Sequence, residues 1–147
     1  MTYIEHWILG GSYSLYLRGL LHRKINDIDV CGIPYQDRLY KFCKVLGIKL
    51  DFCNPHLHEY DEIVHKGRKI KIAKLKDVLY FKYLMQKRID NSPHTIGVKH
   101  YKDIVNVFHN LGENESKSLI DKMDLSEEDK NVLRNWMQIG INNIKEI

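Results

Sequence analysis

Residues 10–30 read GGSYSLYLRGLLHRKINDIDV, and this stretch decides the fold. It begins with a glycine turn that follows an apolar segment at residues 4–9, and residues 13–21 then alternate small and large apolar side chains with helical character. At its end, residues 25–30 place acidic and aliphatic side chains on alternate sides, which is the pattern of a strand with one buried face. The stretch and the segment before it therefore predict a strand or short helix, a tight turn, a helix and then a strand.

The chain beyond this stretch predicts more strands and then only helices. The expected elements are an amphipathic helix at 35–46 built on Leu39, Phe42, Val45 and Leu46, a strand at 48–52, a hairpin at 60–65 and 68–72, and helices at 75–89, 98–111, 116–123 and 126 to about 144. We therefore expect an α+β fold. Residues 1–73 would form a core with a small mixed β-sheet and flanking helices, and residues 74–147 an α-helical region packed on that core.

Composition narrows the class of protein. The 147 residues are 44% hydrophobic and 29% charged, which suits one compact domain or one domain with a helical extension. No segment approaches the roughly 20 apolar residues of a membrane-spanning helix, and the start lacks the layout of a secretory signal, so we expect a cytoplasmic protein with no membrane contact. The three cysteines are odd in number and contain no Cys-x-x-Cys pair, which predicts reduced, buried thiols.

The charge is mildly basic. The net charge of +4 suits a polyanionic partner but is below that of a dedicated nucleic-acid-binding protein. Six of the eleven residues at 66–76 are Lys or Arg, and a solvated hairpin face and contact with RNA both explain them.

Acidic residues on two predicted strands favour a metal site. Asp27 and Asp29 are two positions apart on one strand, so their carboxylates project from the same face about 7 Å apart. Asp51 lies on the next predicted strand, and if the two strands are neighbours the three carboxylates converge. Magnesium takes oxygen ligands and is typically held by one or two carboxylates together with substrate phosphates. These aspartates are therefore candidate magnesium ligands.

The glycine turn supplies a candidate phosphate site. Gly10 and Gly11 allow close approach of the backbone to a phosphate, and the start of the following helix directs N–H groups at an anion. The hydroxyl of Ser12 adds one more donor. The turn and the acidic strand are weak signals separately, but in this order they are far more specific.

The turn, the helix and the Asp-x-Asp strand together resemble the polymerase-beta-like nucleotidyltransferases. The stretch from Gly10 to Val30 is most similar to the AbiEii-type and small antibiotic-type members, and the resemblance covers roughly residues 7–110. It implies transfer of a nucleoside monophosphate from a nucleoside triphosphate such as ATP to an acceptor hydroxyl, with two magnesium ions as cofactors.

The resemblance also implies roles for particular residues. Asp27, Asp29 and Asp51 would be the catalytic and metal-binding set, with Asp51 completing the second metal site or accepting the proton. The residues expected to bind the nucleotide are Gly10, Gly11, Ser12, His22, Arg23 and Lys82. For His22 and Arg23 a solvated loop position remains an alternative to phosphate contact, and for Lys82 the alternative is a long side chain reaching water from an apolar helix.

The sequence leaves the acceptor open among RNA such as tRNA, a protein side chain and a small molecule. An antibiotic-type enzyme would need a second, acidic cleft for its acceptor. The alternative from a different class is a non-catalytic, antitoxin-like or regulatory module that keeps the fold and binds a protein partner.

Overall fold

The computed structural model describes residues 7–91 and 97–142. The chain divides into two compact units, Met1–Lys74 and Leu75–Ile147. The first unit ends one residue beyond the boundary expected from the sequence. The first unit is mixed α/β and the second is helical, so the predicted fold class is confirmed.

The described part of the first unit contains five strands and two helices. They are β1 (Ile8–Gly10), α1 (Gly11–Leu17), β2 (Asp27–Cys31), α2 (Asp37–Val45), β3 (Lys49–Phe52), β4 (Tyr60–His65) and β5 (Arg68–Ala73). The strand order is β3-β2-β1-β5-β4, so β3 and β4 form the two edges of the sheet. Parallel pairs (β1 with β5, β2 with β3) and antiparallel pairs (β1 with β2, β4 with β5) make this the mixed sheet that the sequence predicts. The first predicted element, a strand or short helix from residue 4, is a strand over Ile8–Gly10, and residues 4–6 lie outside the described part of the chain.

The aliphatic face of β2 belongs to a hydrophobic core cluster of this unit. Val30 is fully buried and clusters with Leu50 of β3 and Cys43 of α2, and Ile28 and Leu39 pack against the cluster. Burying one face of the strand orients its alternate residues, Asp27 and Asp29, to the other face. The hydrophobic pattern of β2 therefore determines where the acidic side chains lie.

The helix predicted at residues 35–46 is present, but its buried face is narrower than the apolar pattern indicated. Phe42, Val45 and Leu46 are exposed, by 63%, 85% and 58% respectively. Leu39 and Cys43, four residues apart, contact the core instead. The apolar residues of α2 extend over more of the helix surface than the sheet covers.

The predicted hairpin is confirmed. β4 and β5 pair antiparallel from Tyr60 with Ala73 to His65 with Arg68. Lys66 and Gly67 form the turn with φ of 51° and 78°, the left-handed conformation at both central residues that a two-residue hairpin turn requires.

A charged cluster connects α1 to this hairpin. Arg18, just after α1, donates from Nη2 to Asp61 Oδ2 at 2.7 Å and to the Ala73 carbonyl at 2.9 Å, and Lys74 also pairs with Asp61. The guanidinium of Arg18, and then the ammonium of Lys74, hold the pKa of Asp61 below its usual value. The cluster fixes the end of the helix that begins at the glycine turn.

The described part of the second unit is made of helices. They are α3 (Leu75–Asp90), α4 (Lys99–Leu111), α5 (Glu113–Lys122) and α6 (Glu127–Asn142). Ile104 and Phe108 of α4 and Leu133 of α6 are fully buried. A Cβ on Gly140 would lie 2.5 Å from the Val105 carbonyl, so the absence of a side chain there permits α4 and α6 to pack closely. Across the described segments, none of the helices has both the length and the apolar character needed to cross a bilayer.

Candidate functional site

The strand register brings the three predicted aspartates to one face of the sheet. Asp29 of β2 pairs directly with Asp51 of β3, and Asp27 pairs with Lys49. Side chains of paired residues on neighbouring strands point to the same face, and neighbouring strands are about 4.8 Å apart. Asp27, Asp29 and Asp51 are all half-buried.

The glycine turn lies directly against one of these carboxylates. Gly10 pairs with Asp29 in the antiparallel β1–β2 ladder. A Cβ atom on Gly11 would lie 1.7 Å from Asp29 Oδ2, so only glycine leaves room for the carboxylate. Gly11 also has φ of 56°, a left-handed conformation that glycine adopts without strain. The turn and the acidic strand are therefore in contact, as the hypothesis of a shared site requires.

Arg23 is hydrogen-bonded to Ser12, in the first turn of α1 and next to the glycine turn. Its Nη2 donates to Ser12 Oγ at 3.0 Å and its Nη1 donates to the Lys24 carbonyl at 2.8 Å. A guanidinium held at the serine of the glycine turn is suited to bind phosphate. His22 is exposed in the same loop.

Lys82, the remaining predicted nucleotide ligand, belongs to the helical unit. Its side chain is 6% exposed and its Nζ lies 3.0 Å from Asp103 Oδ2 of α4. A buried lysine needs such a partner because an unpaired buried charge is strongly unfavourable. This ion pair gives Lys82 a structural role inside its own unit, and its proposed contact with a nucleotide stays a prediction.

Sequence reasoning missed Lys49. Its Nζ lies 3.5 Å from Asp27 Oδ1. Lys49 and Asp51 alternate with buried Leu50, so the period-two pattern of β3 already placed Lys49 on the acidic face. What the sequence lacked was the register that sets Lys49 opposite Asp27.

A cleft of about 350 Å³ borders this site. Its lining residues are Tyr13, Tyr16, Arg23, Lys24, Ile25, Asn26, Ile28, Gly47, Ile48 and Lys49. Two of them contact predicted site residues, since Arg23 bonds to Ser12 and Lys49 to Asp27. The rings of Tyr13 and Tyr16 stack with centroids 6.2 Å apart. Among the described residues, the lining of the cleft therefore combines aromatic faces with three cationic side chains and contains no acidic side chain.

The charge of the first unit agrees with the charge of this cleft. Residues 1–74 contain 12 Lys and Arg against 8 Asp and Glu, whereas residues 75–147 contain 11 of each. The net charge of +4 thus belongs entirely to the unit that carries the sheet, although three of its acidic residues form the candidate site. Such a surface favours anionic ligands.

Two cysteines lie at the same end of the acidic strands. Cys31 and Cys53 are free thiols whose sulfurs are 3.2 Å apart. Their hydrogen bond holds the pKa of Cys31 below its usual value and raises the pKa of Cys53. Three buried thiols were expected, but only Cys31 and Cys43 are buried, because Cys53 follows the last residue of β3 and is exposed.

In residues 7–91 and 97–142, no group of three or more His, Cys, Asp or Glu side chains is arranged to hold a metal ion as it stands. The donor set still fits magnesium. Asp27, Asp29 and Asp51 offer hard oxygen ligands on one face, and Asp29 lies against Gly11 of the glycine turn. Magnesium usually retains waters and takes few protein ligands besides the phosphates of a substrate, so a complete protein cage is not needed.

Comparison with protein-family models finds no match, and comparison with curated proteins and with solved structures finds no significant match.

Proposed function

We propose that this chain is a metal-dependent nucleotidyltransferase of the polymerase-beta-like type. It would transfer a nucleoside monophosphate from a nucleoside triphosphate to an acceptor hydroxyl, releasing pyrophosphate. The proposal depends on the position of Asp29. This residue pairs with Asp51 on the neighbouring strand and contacts Gly11 of the glycine turn. The reaction needs a metal ion held by carboxylates next to the bound phosphates, and Asp29 belongs to the candidate metal site and adjoins the candidate phosphate site.

In this proposal, some residues of the site bind magnesium or the phosphates, and one is positioned to accept a proton. Asp27 and Asp29 are positioned to hold magnesium, and Asp51 to complete a second metal site or to accept the proton of the attacking hydroxyl. When bound, magnesium neutralises the triphosphate and lowers the pKa of the attacking hydroxyl. The backbone at Gly10 and Gly11, with Ser12 and Arg23, would orient the phosphates. Lys49 supplies a countercharge to Asp27 at 3.5 Å.

The reducing state of the thiols bears on location. Cys31, Cys43 and Cys53 are all free. Free thiols suit a reducing compartment, which supports our proposal that the protein is cytoplasmic.

The test uses the position of the radioactive label. Full-length protein is incubated with each of the four ribonucleoside triphosphates labelled at the α-phosphate, with magnesium, and with either total tRNA or a cell extract. We expect label to enter an acceptor from at least one triphosphate, and chelation of magnesium to stop the transfer. The same triphosphate labelled at the γ-phosphate should transfer nothing, because that phosphate leaves as pyrophosphate.

The outcome also separates the proposal from its alternatives. Transfer of the γ-label would show phosphoryl transfer and contradict the proposal. Tight triphosphate binding with no transfer to any fraction of the extract would favour the regulatory module. The identity of the labelled fraction, whether RNA, protein or small molecule, assigns the acceptor class.

The cleft beside the site is the position we propose for a substrate base. Stacking of a base on an aromatic side chain contributes about 1–3 kcal/mol, so Tyr16→Ala should raise KM roughly 5- to 150-fold for the substrate that the cleft binds, with a smaller effect on kcat. Tyr16 is 48% exposed, so we expect the substitution to leave the fold intact. Steady-state kinetics with the donor and then the acceptor varied show which substrate is affected.

Two variants make this result specific. Tyr16→Phe keeps the ring and should retain a KM close to that of the wild type. Tyr35→Ala removes another exposed tyrosine, 57% accessible and outside the cleft lining, and should change neither constant. Equal KM values for Tyr16→Ala and wild type with both substrates would remove the cleft from the proposal.

A further inference from the structure

We propose that Cys31 and Cys53 form a redox-reactive pair, which a small disulfide such as oxidised glutathione converts into an intramolecular disulfide between β2 and β3. This inference rests on the thiol geometry alone and holds whether or not the chain transfers nucleotides.

The backbone places the two cysteines side by side. Val30 and Phe52 are partners in the parallel β2–β3 ladder, and the N–H of Cys53 donates to the Val30 carbonyl at 2.9 Å. Cys31 is the last residue of β2, and Cys53 is the first residue after β3. Neighbouring strands are about 4.8 Å apart, which lies inside the range of about 4.4–6.8 Å between the Cα atoms of disulfide-bonded cysteines.

The side chains are already oriented towards each other. The two sulfurs are 3.2 Å apart, and a disulfide needs them at about 2.05 Å. The remaining approach of about 1 Å is within reach of small side-chain rotations and needs no change in strand pairing. Cys43 belongs to a different environment, the core cluster with Val30 and Leu50.

Exposure sets the order of the exchange. Cys53 is exposed whereas Cys31 is 5% exposed, so an incoming disulfide reaches Cys53 first, although the raised pKa of Cys53 slows its attack. The Cys53 sulfur bonds to one sulfur of oxidised glutathione, and the other half leaves and takes up the Cys53 proton. The Cys31 sulfur then attacks the Cys53 sulfur, and the second glutathione leaves with the Cys31 proton. Two electrons pass from the protein thiols to glutathione disulfide, which becomes two molecules of reduced glutathione.

The pair lies next to the candidate site. Cys31 is two residues beyond Asp29 on β2, and Cys53, just after the end of β3, is two residues beyond Asp51. A Cβ on Gly10 would lie 3.0 Å from Cys31 Sγ, so this sulfur packs against the glycine turn. Forming the bond draws Cys31 Sγ towards β3 and cross-links the two strands that carry the aspartates.

The test follows each thiol in the full-length protein. Folded protein is equilibrated with defined ratios of oxidised to reduced glutathione, quenched with acid, denatured and alkylated, and its mass and peptides are measured. We expect the wild type to lose two hydrogen atoms, to alkylate only at Cys43 and to yield a peptide linked through Cys31 and Cys53. Excess dithiothreitol should restore three alkylated cysteines.

Single substitutions check the mechanism. Cys31→Ser should accumulate a mixed disulfide with glutathione on Cys53, because the resolving thiol is missing. Cys53→Ser should react at least tenfold more slowly than Cys31→Ser, since only buried thiols remain. Cys43→Ala should behave as the wild type, and circular dichroism establishes that each variant is folded. A wild type that stays fully reduced, that stops at the mixed disulfide or that forms only intermolecular disulfides overturns the proposal.

Discussion

Asp29→Asn is expected to reduce nucleotidyl transfer by more than a hundredfold while the protein stays folded. The substitution keeps the shape of the side chain and removes the charge that faces Asp51 and contacts Gly11. Loss of an outer-shell partner of a metal site typically costs about 10- to 100-fold, and loss of a direct ligand should cost more. Removing one of three neighbouring negative charges also relieves repulsion between them. Transfer of α-label is measured under single-turnover conditions, and folding by thermal denaturation without magnesium.

Asp37→Asn provides a matched control for this experiment. It makes the same chemical change on an exposed carboxylate of α2, which bonds to Tyr35 and Lys41. We expect its transfer rate to stay within a factor of two or so of the wild type, as is usual for surface substitutions. If Asp29→Asn retained the rate of Asp37→Asn, Asp29 would not be a metal ligand and the proposed mechanism would fail.

Gly11→Ala is expected to impair both stability and activity. A methyl group there would lie 1.7 Å from Asp29 Oδ2, so either the carboxylate or the turn must move. The left-handed conformation costs a residue with a Cβ about 1–2 kcal/mol, and the steric conflict adds about 1–3 kcal/mol. Because displacement of a reacting group by about 1 Å can cost about a hundredfold in rate, we expect an activity loss of that order. Urea denaturation and label transfer measure the two effects.

Gly19→Ala separates backbone strain from contact with Asp29. Gly19 has φ of 75°, and a Cβ there would meet no atom within 4 Å. The control should therefore lose about 1–2 kcal/mol from the conformation alone and keep its transfer rate. Equal losses of stability and activity in the two variants would show that the close approach of Gly11 to Asp29 has no functional importance.

Much of the fold could be predicted because its signals are local. The alternation of Ile28 and Val30 with Asp27 and Asp29 identifies a strand and its two faces from four residues of sequence. The Lys66-Gly67 pair between two alternating segments identifies a hairpin. In both cases the side chains that set the conformation are neighbours in the chain, so no knowledge of distant contacts is required.

The features that escaped prediction depend on how distant segments meet. The contact of Lys49 with Asp27 needs the register of β2 against β3, and the approach of Cys31 to Cys53 depends on the same register. The exposure of Phe42 reflects how much of α2 the sheet covers, which the helical pattern alone does not specify. These are tertiary properties, and a single sequence read by local periodicity contains no direct measure of them.

Asp51 lies on an edge strand, β3, whereas Asp29 lies on an inner strand, so the two residues differ in how easily their strands open locally. β3 spans four residues and has a strand partner on one side only, whereas β2 is paired on both sides. Short outer strands open at a lower free energy than inner ones, through excursions that leave the remaining structure folded. Fraying of β3 would move Asp51 away from Asp29, and the candidate site would be lost before the rest of the molecule unfolds. Inactivation on gentle warming should then begin below the temperature at which the molecule melts.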